Sequence, residues 1–117
     1  RARAGGLDAT LTVGGRRQDL PTAVDRTAYR IVQESLTNVA RHAAATAASV
    51  HIEYRPGALA IRVDDDGRAA PDDSPAPGVG LLGMRERVTA LGGRLRAEPR
   101  GGGGFTVQAE LPVEGTA

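Results

Sequence analysis

Three groups of residues have the types and spacing to do chemistry. The first is Glu34, Asn38, Arg41 and His42. On a helical wheel with Glu34 at zero, Asn38 falls at ~40°, Arg41 at ~340° and His42 at ~80°, while Val32, Leu36, Val39 and Ala43 gather near ~180°. A helix here would carry a carboxylate, an amide, a guanidinium and an imidazole on the face opposite its apolar stripe. A solvated helix face is the ordinary alternative. The mixture, however, supplies a base, an oxygen ligand for a hard cation and a phosphate-pairing arginine within two turns. The second group is Val63-Asp64-Asp65-Asp66-Gly67. It is either a polar strand end or a ligand contact. A buried carboxylate only accepts hydrogen bonds, so it would favour the adenine amino group and repel the guanine carbonyl. Gly67 would let a flat base approach the backbone closely. The third is Gly78-Val79-Gly80-Leu81, where glycines precede a helix. Free N–H groups and the positive end of the helix dipole would suit phosphate there; a flexible loop is the alternative.

Other chemistries lack their residues. The chain has 117 residues and no cysteine, which excludes disulfides, thiolate metal sites and cysteine nucleophiles. Its two histidines do not make a metal site, and His51 reads as an ordinary strand residue. Neither the dinucleotide fingerprint, nor the P-loop lysine motif, nor a Gly-x-Ser-x-Gly elbow occurs. All 15 basic residues are arginine, against 14 acids, for a net charge of +1. That argues against nucleic-acid or membrane binding driven by bulk charge. Three aromatics, Tyr29, Tyr54 and Phe105, are too few for a base-stacking platform. No apolar run approaches the ~20 residues of a membrane span, and no signal peptide opens the chain. The expectation is one small cytoplasmic domain with a real core.

The elements that must position these groups follow from periodicity. Residues 1–6 read as a linker remnant, 7–112 as the domain and 113–117 as a tail. Leu7, Ala9, Leu11 and Val13 alternate, predicting a strand over 7–13 that ends at Gly14-Gly15. Thr22-x-x-Asp25 resembles a capping box. A helix is expected from about 22 to about 44, with Tyr29, Val32, Leu36, Val39 and Ala43 as its buried stripe. Val50, Ile52 and Tyr54 alternate, as do Leu59, Ile61 and Val63, around a Pro56-Gly57 turn. They predict a hairpin of 49–55 with 58–64. A proline-containing loop over 67–80 leads to a second helix with Leu81, Met84, Val88 and Leu91 as its stripe, stopped by Gly92-Gly93. Strands over 94–98 and 105–111 close the chain. Five strands, mostly joined by hairpins, and two helices predict a two-layer α/β sandwich with a largely antiparallel sheet.

The order of the three groups resembles the catalytic, ATP-binding domain of sensor histidine kinases, within the GHKL ATPase superfamily. Tyr29 to Ala43, YRIVQESLTNVARHA, is similar to the N box. Asp65 to Ala69, DDGRA, is similar to the G1 box, and Gly78 to Val88, GVGLLGMRERV, to the G2 box. The closing GGGFTVQAELP, from Gly102 to Pro112, looks like the family's last hairpin. The N-box and G2 runs look most like nitrate-sensor and thermosensor kinases. The resemblance implies a Bergerat-type ATP-binding fold, with a mixed, mostly antiparallel sheet and about three helices on one face. It implies ATP and Mg²⁺ as ligands. It makes Glu34 the acid that polarises the reacting group and Asn38 the oxygen donor to magnesium. Arg41 and His42 fall near the phosphates. Asp65 reads the adenine amino group, with Gly67 against the base. Gly78 and Gly80 hinge the lid beside the phosphates, with Leu81 next to them, and Thr106 lies near the adenine.

The chain departs from the pattern in places. Ala69 stands where G1 expects a glycine, at a cost of ~1–2 kcal/mol if φ there is positive. Asp72 and Asp73 put negative charge in the lid. No phosphoacceptor helix precedes the domain, so the resemblance implies the ATP-binding part of a larger kinase, with or without a membrane anchor. That part would pass phosphate to a histidine on a separate dimerisation domain, with a response regulator downstream. The part alone is expected to be monomeric and weakly active or inactive. Two alternatives stay open: a serine kinase of the anti-sigma-factor type, and a degenerate module that binds nucleotide or partners without catalysis.

Overall fold

The computed structural model describes residues 2–4, 7–42, 47–67, 79–100 and 104–113, and the side chains of 8–39, 47–67, 83–100 and 104–113 within them. The elements are β1 (Ala2–Ala4), β2 (Leu7–Gly15), α1 (Thr22–His42), β3 (Ala47–Arg55), β4 (Ala58–Asp65), α2 (Val79–Ala90), β5 (Arg94–Pro99) and β6 (Phe105–Pro112). They form one sheet in the order β1-β2-β3-β4-β6-β5. β2 and β3 are parallel, as a crossover through a helix requires. Every other neighbouring pair is antiparallel. α1 lies over β3, β4 and β6, α2 over β5 and β6, and the two helices touch. The expected two-layer sandwich with a mixed, mostly antiparallel sheet is therefore present.

The core is the layer between helices and sheet. Val24, Ala28 and Ile31 of α1 and Met84 and Val88 of α2 pack on Val50, Leu59, Ile61, Val63, Leu95, Val107, Ala109 and Leu111. Each fully buried branched aliphatic side chain contributes about 1.5–3 kcal/mol. The alternating residues of the same strands face outward and carry the charge, with Arg55 bridging Glu53 and Glu110 and with Arg94 also on Glu110.

The second helix ends in a Schellman motif. Gly93 N–H donates to the Val88 carbonyl (2.8 Å) and Gly92 N–H to that of Thr89 (2.9 Å). Gly92 is needed for its φ of 84°, and Gly93 because a Cβ there would stand 2.3 Å from the Glu110 carbonyl oxygen. This stop pins the end of α2 to β6.

Several expectations need correction. The buried stripe of α1 is Val24, Thr27, Ala28, Ile31, Ser35 and Val39. It is rotated from the stripe read from Tyr29, Val32, Leu36, Val39 and Ala43, and is centred on Ile31 with the small Ala28 and Ser35 beside it. Val32 and Leu36 flank it half-buried, and Tyr29 is 67% exposed. Ala43 lies outside the described residues. The strand over 7–13 forms, yet Leu11 and Val13 are 62% and 54% exposed, since α1 settles over β3 and β4. Residues 2–4, read as linker, make a sixth strand on the sheet edge, through backbone pairing that side-chain patterning does not report. Val113, read as the start of a tail, is buried and donates its N–H to the Gly57 carbonyl (3.0 Å).

Candidate functional site

The topology gathers the predicted groups at one end of the sandwich. At the far end, Gln18 Nε2 donates to the Arg55 carbonyl (2.9 Å) just before α1 begins. α1 then runs toward the opposite end, where Val39 packs on Ala48, and Ala48 is the Cα partner of Asp65. So the turn that carries Asn38 lies at the Asp65 end. α2 finishes beside Glu110 and Pro112 at the far end. Its 12 residues span ~18 Å, so its N-terminus, with Gly80 and Leu81, is directed back toward Asp65. The C-terminal half of one helix, the first turn of another and the end of a strand thus lie at the same end of the sandwich.

Asp65 is the most distinctive group at that end. It is 4% exposed, on the helix-facing side of β4. Its Oδ1 accepts the Gly67 N–H at 2.8 Å. Burial raises its pKa above the ordinary aspartate value, and the neighbouring charge of Asp66 adds to this. The N–H bonds from Gly67 and Phe105 and the Arg100 charge oppose the rise without cancelling it. Burial with backbone donors makes Asp65 a directional acceptor in a low-dielectric setting.

A turn that sequence reading passed over holds Asp65 in place. Arg100 Nη1 donates to the Asp65 carbonyl at 3.2 Å. Arg100 N–H donates to the Gly104 carbonyl at 3.0 Å, closing the β5–β6 connection. Gly104 has φ +94°, and a Cβ on it would come within 2.1 Å of the Asp65 carbonyl oxygen. Only glycine fits both conditions. The signal in the sequence was the glycine run 101–104, which marks a turn without saying what approaches it.

On α1, Glu34 and Asn38 are half-buried. They sit on the flank of the buried stripe and not opposite it, because that stripe is centred on Ile31 and Ser35. Ser35, beside Glu34, is buried with its hydroxyl unpartnered among the described residues. Arg41 and His42 close α1, but their side chains lie outside the described residues, as does all of Gly78. Gly80 and Leu81 lie in the first turns of α2, with side chains likewise outside the description. Gly67 is buried and bonded to Asp65.

Thr106 is placed elsewhere. It pairs across the sheet with Asp64, and its hydroxyl donates to Asp64 Oδ1 at 2.6 Å. Consecutive strand residues point to opposite faces, so Thr106 faces away from Asp65. Phe105, the Cα partner of Asp65, occupies the helix-facing position instead. A separate groove of about 860 Å³, lined by Arg62, Arg85, Arg96 and Gln108 among others, contains none of the predicted site residues.

Residues 23–115 match the family model described as histidine kinase-, DNA gyrase B-, and HSP90-like ATPase. Sensor histidine kinase LnrJ of Bacillus subtilis is 36% identical over 108 residues, covering 92% of this chain and 26% of the relative. Sensor histidine kinase YxjM of the same organism is 37% identical over 109 residues, with the same coverage of 92% and 26%. The chain thus spans about a quarter of the length of these relatives. Among solved structures, the histidine kinase domain of the blue-light-activated kinase from Erythrobacter litoralis superposes with TM-score 0.68 at 29% identity, over 90% of this chain and 55% of that one. Histidine kinase AdeS of Acinetobacter baumannii shares the fold, with TM-score 0.72 at 14% identity over 95% of this chain and 56% of its own. With a model matched over most of its length, the chain belongs to the histidine kinase-, DNA gyrase B- and HSP90-like ATPase family.

Proposed function

We propose that this chain is the ATP-Mg²⁺-binding catalytic domain of a two-component sensor histidine kinase. The observation that carries the reading is Asp65, a buried acceptor at the strand end where the Asn38 turn and the start of α2 converge. Its carboxylate would take the adenine amino group, and Gly67 would face the base. Gly78, Gly80 and Leu81 would lie beside the phosphates at the α2 N-terminus, where free N–H groups favour anions. Arg41 and His42 would neutralise phosphate charge from α1. Thr106, whose hydroxyl serves Asp64, has no role in this scheme.

The donor set also fits magnesium. Among the described residues no three of His, Cys, Asp or Glu gather into a cluster. A hard cation held mainly by phosphates needs only one or two protein oxygens, and the half-buried Asn38 amide offers one. Bound magnesium would offset charge on the triphosphate. Glu34, near Asn38, would orient and polarise the reacting group. Catalysis is then mostly positioning and charge neutralisation.

In the parent protein the γ-phosphate would pass to a histidine on a separate helical dimerisation domain, and from there to a response regulator. No described helix is long and apolar enough to cross a membrane, in keeping with a catalytic domain that works in the cytoplasm. With dimerisation assigned elsewhere, the isolated chain is expected to sediment as a monomer. Calorimetric titration with a non-hydrolysable ATP analogue, with and without Mg²⁺, tests the reading, with a GTP analogue as control. Adenine-selective binding that strengthens with magnesium and weakens about tenfold or more in Asn38→Ala is expected. A folded protein that binds neither nucleotide at millimolar concentration would overturn it.

A further inference from the structure

The β3–β4 ladder ends in an unusual rung. Asp65 pairs with Ala48 as the last regular residue of β4. One residue on, Asp66 N–H donates to the Ala47 carbonyl at 3.2 Å. The return bond does not go to the Asp66 carbonyl, as it would in a regular antiparallel pair. Instead Ala47 N–H donates to the side-chain Oδ1 of Asp66 at 3.0 Å. The carboxylate has replaced the backbone acceptor. The rung is kept while the backbone of residue 66 is released to turn at once, and Gly67 N–H comes round onto Asp65 Oδ1.

We propose that Asp66 is a positioning residue for nucleotide selection: by carrying the last rung on its side chain it aims the Asp65 carboxylate, and so sets the preference for adenine over guanine. This rests on the nucleotide reading of the Asp65 site. The demands on position 66 are narrow. It needs an acceptor one methylene from the backbone. Asparagine meets this with its amide oxygen, alanine offers none, and glutamate carries its oxygens one carbon too far. On the other side of β4, Arg100 holds the Asp65 carbonyl. The strand end is thus fixed from both neighbours, with Asp66 on the side that turns into Gly67.

The test compares ATP- and GTP-analogue affinities and melting temperatures for the 117-residue chain and its Asp66→Asn, Asp66→Ala, Asp65→Asn and Val113→Ala variants. Val113 is buried at the far end of the sheet, beside Gly57, and controls for loss of stability alone. Asp66→Ala should lose about tenfold in affinity for the ATP analogue, with little change for the GTP analogue. Asp66→Asn should stay within about twofold of the parent chain. Val113→Ala should melt earlier with its selectivity intact. Equal behaviour of Asp66→Ala and Asp66→Asn would overturn the proposal, as would unchanged selectivity in Asp66→Ala. If Asp65→Asn loses adenine preference while Asp66→Ala keeps it, the positioning role falls and the site stands. If Asp65→Asn keeps adenine preference, both fall.

Discussion

Asp64 and Asp65 are adjacent in sequence and opposite in circumstance. Asp64 faces outward, where Arg62 Nε reaches both of its oxygens (3.1 and 2.9 Å) and the Thr106 hydroxyl donates at 2.6 Å. Its acceptors are occupied by other side chains. Asp65 faces the helices, is buried, and among the described residues accepts hydrogen bonds from backbone N–H groups. A carboxylate whose partners are neighbouring side chains is part of the scaffold. One that is desolvated against its preference holds a free-energy cost that a ligand donor can relieve. Composition cannot tell the two apart; the pleat can.

The largest expected effect of breaking this contrast is at Asp65. Asp65→Asn should cost about 1.5–3 kcal/mol in ATP-analogue affinity, roughly ten- to hundredfold, because a charged acceptor is lost. The same change should raise stability at neutral pH. Burial lifts the folded-state pKa of Asp65 above its unfolded value, so the folded chain holds this proton more tightly. Stability therefore falls as pH rises from the unfolded to the folded pKa, and stays lower above that window. Melting curves against pH should show the variant gaining on the parent chain as pH rises through that window. A variant less stable at pH 7 would contradict the desolvation argument.

Next comes Gly104→Ala. Positive φ alone costs about 1–2 kcal/mol, and the methyl group must also clear the Asp65 carbonyl oxygen. Both melting temperature and nucleotide affinity should drop. Loss of stability with full affinity would show that the Arg100–Gly104 turn does not support Asp65.

The smallest effect sharpens the contrast from the outer face. Thr106→Val removes one hydrogen bond to Asp64 and should cost about 0.5–1.5 kcal/mol of stability, leaving nucleotide affinity unchanged. A loss of affinity matching that of Asp65→Asn would return Thr106 to the binding site.

Much of this was legible in the sequence. Period-two alternation around Pro56-Gly57 predicts the central hairpin, and the structure has it as β3 and β4. Gly92-Gly93 predicts the stop of α2, which ends at Ala90. The order of the three groups predicts the family. The rotation of α1 was harder to read. Hydrophobic counting weighs Tyr29 and Leu36 above Ala28 and Ser35, whereas close helix–sheet contact favours the small residues. Thr106 pairs with Asp64 and so lies on the face opposite Asp65, a distinction that a single residue decides in a strand. The Gly104 contact is invisible without coordinates, since it joins residues far apart in sequence.

The pleat of β4 also sets which genetic changes the molecule can absorb. A substitution at an outward position such as Arg62 removes its bonds to Asp64 and leaves the core-facing side of the strand unchanged. A single-codon deletion between Leu59 and Val63 would be of another kind. It would reverse the parity of the strand beyond the deletion, turn Ile61 or Val63 toward water, move Asp65 into the place of Asp64 and bring Asp66 to the place of Asp65. The ligand acid would fall into the scaffold acid's place without being mutated. In this strand, the count of residues is as much a part of the site as their identity.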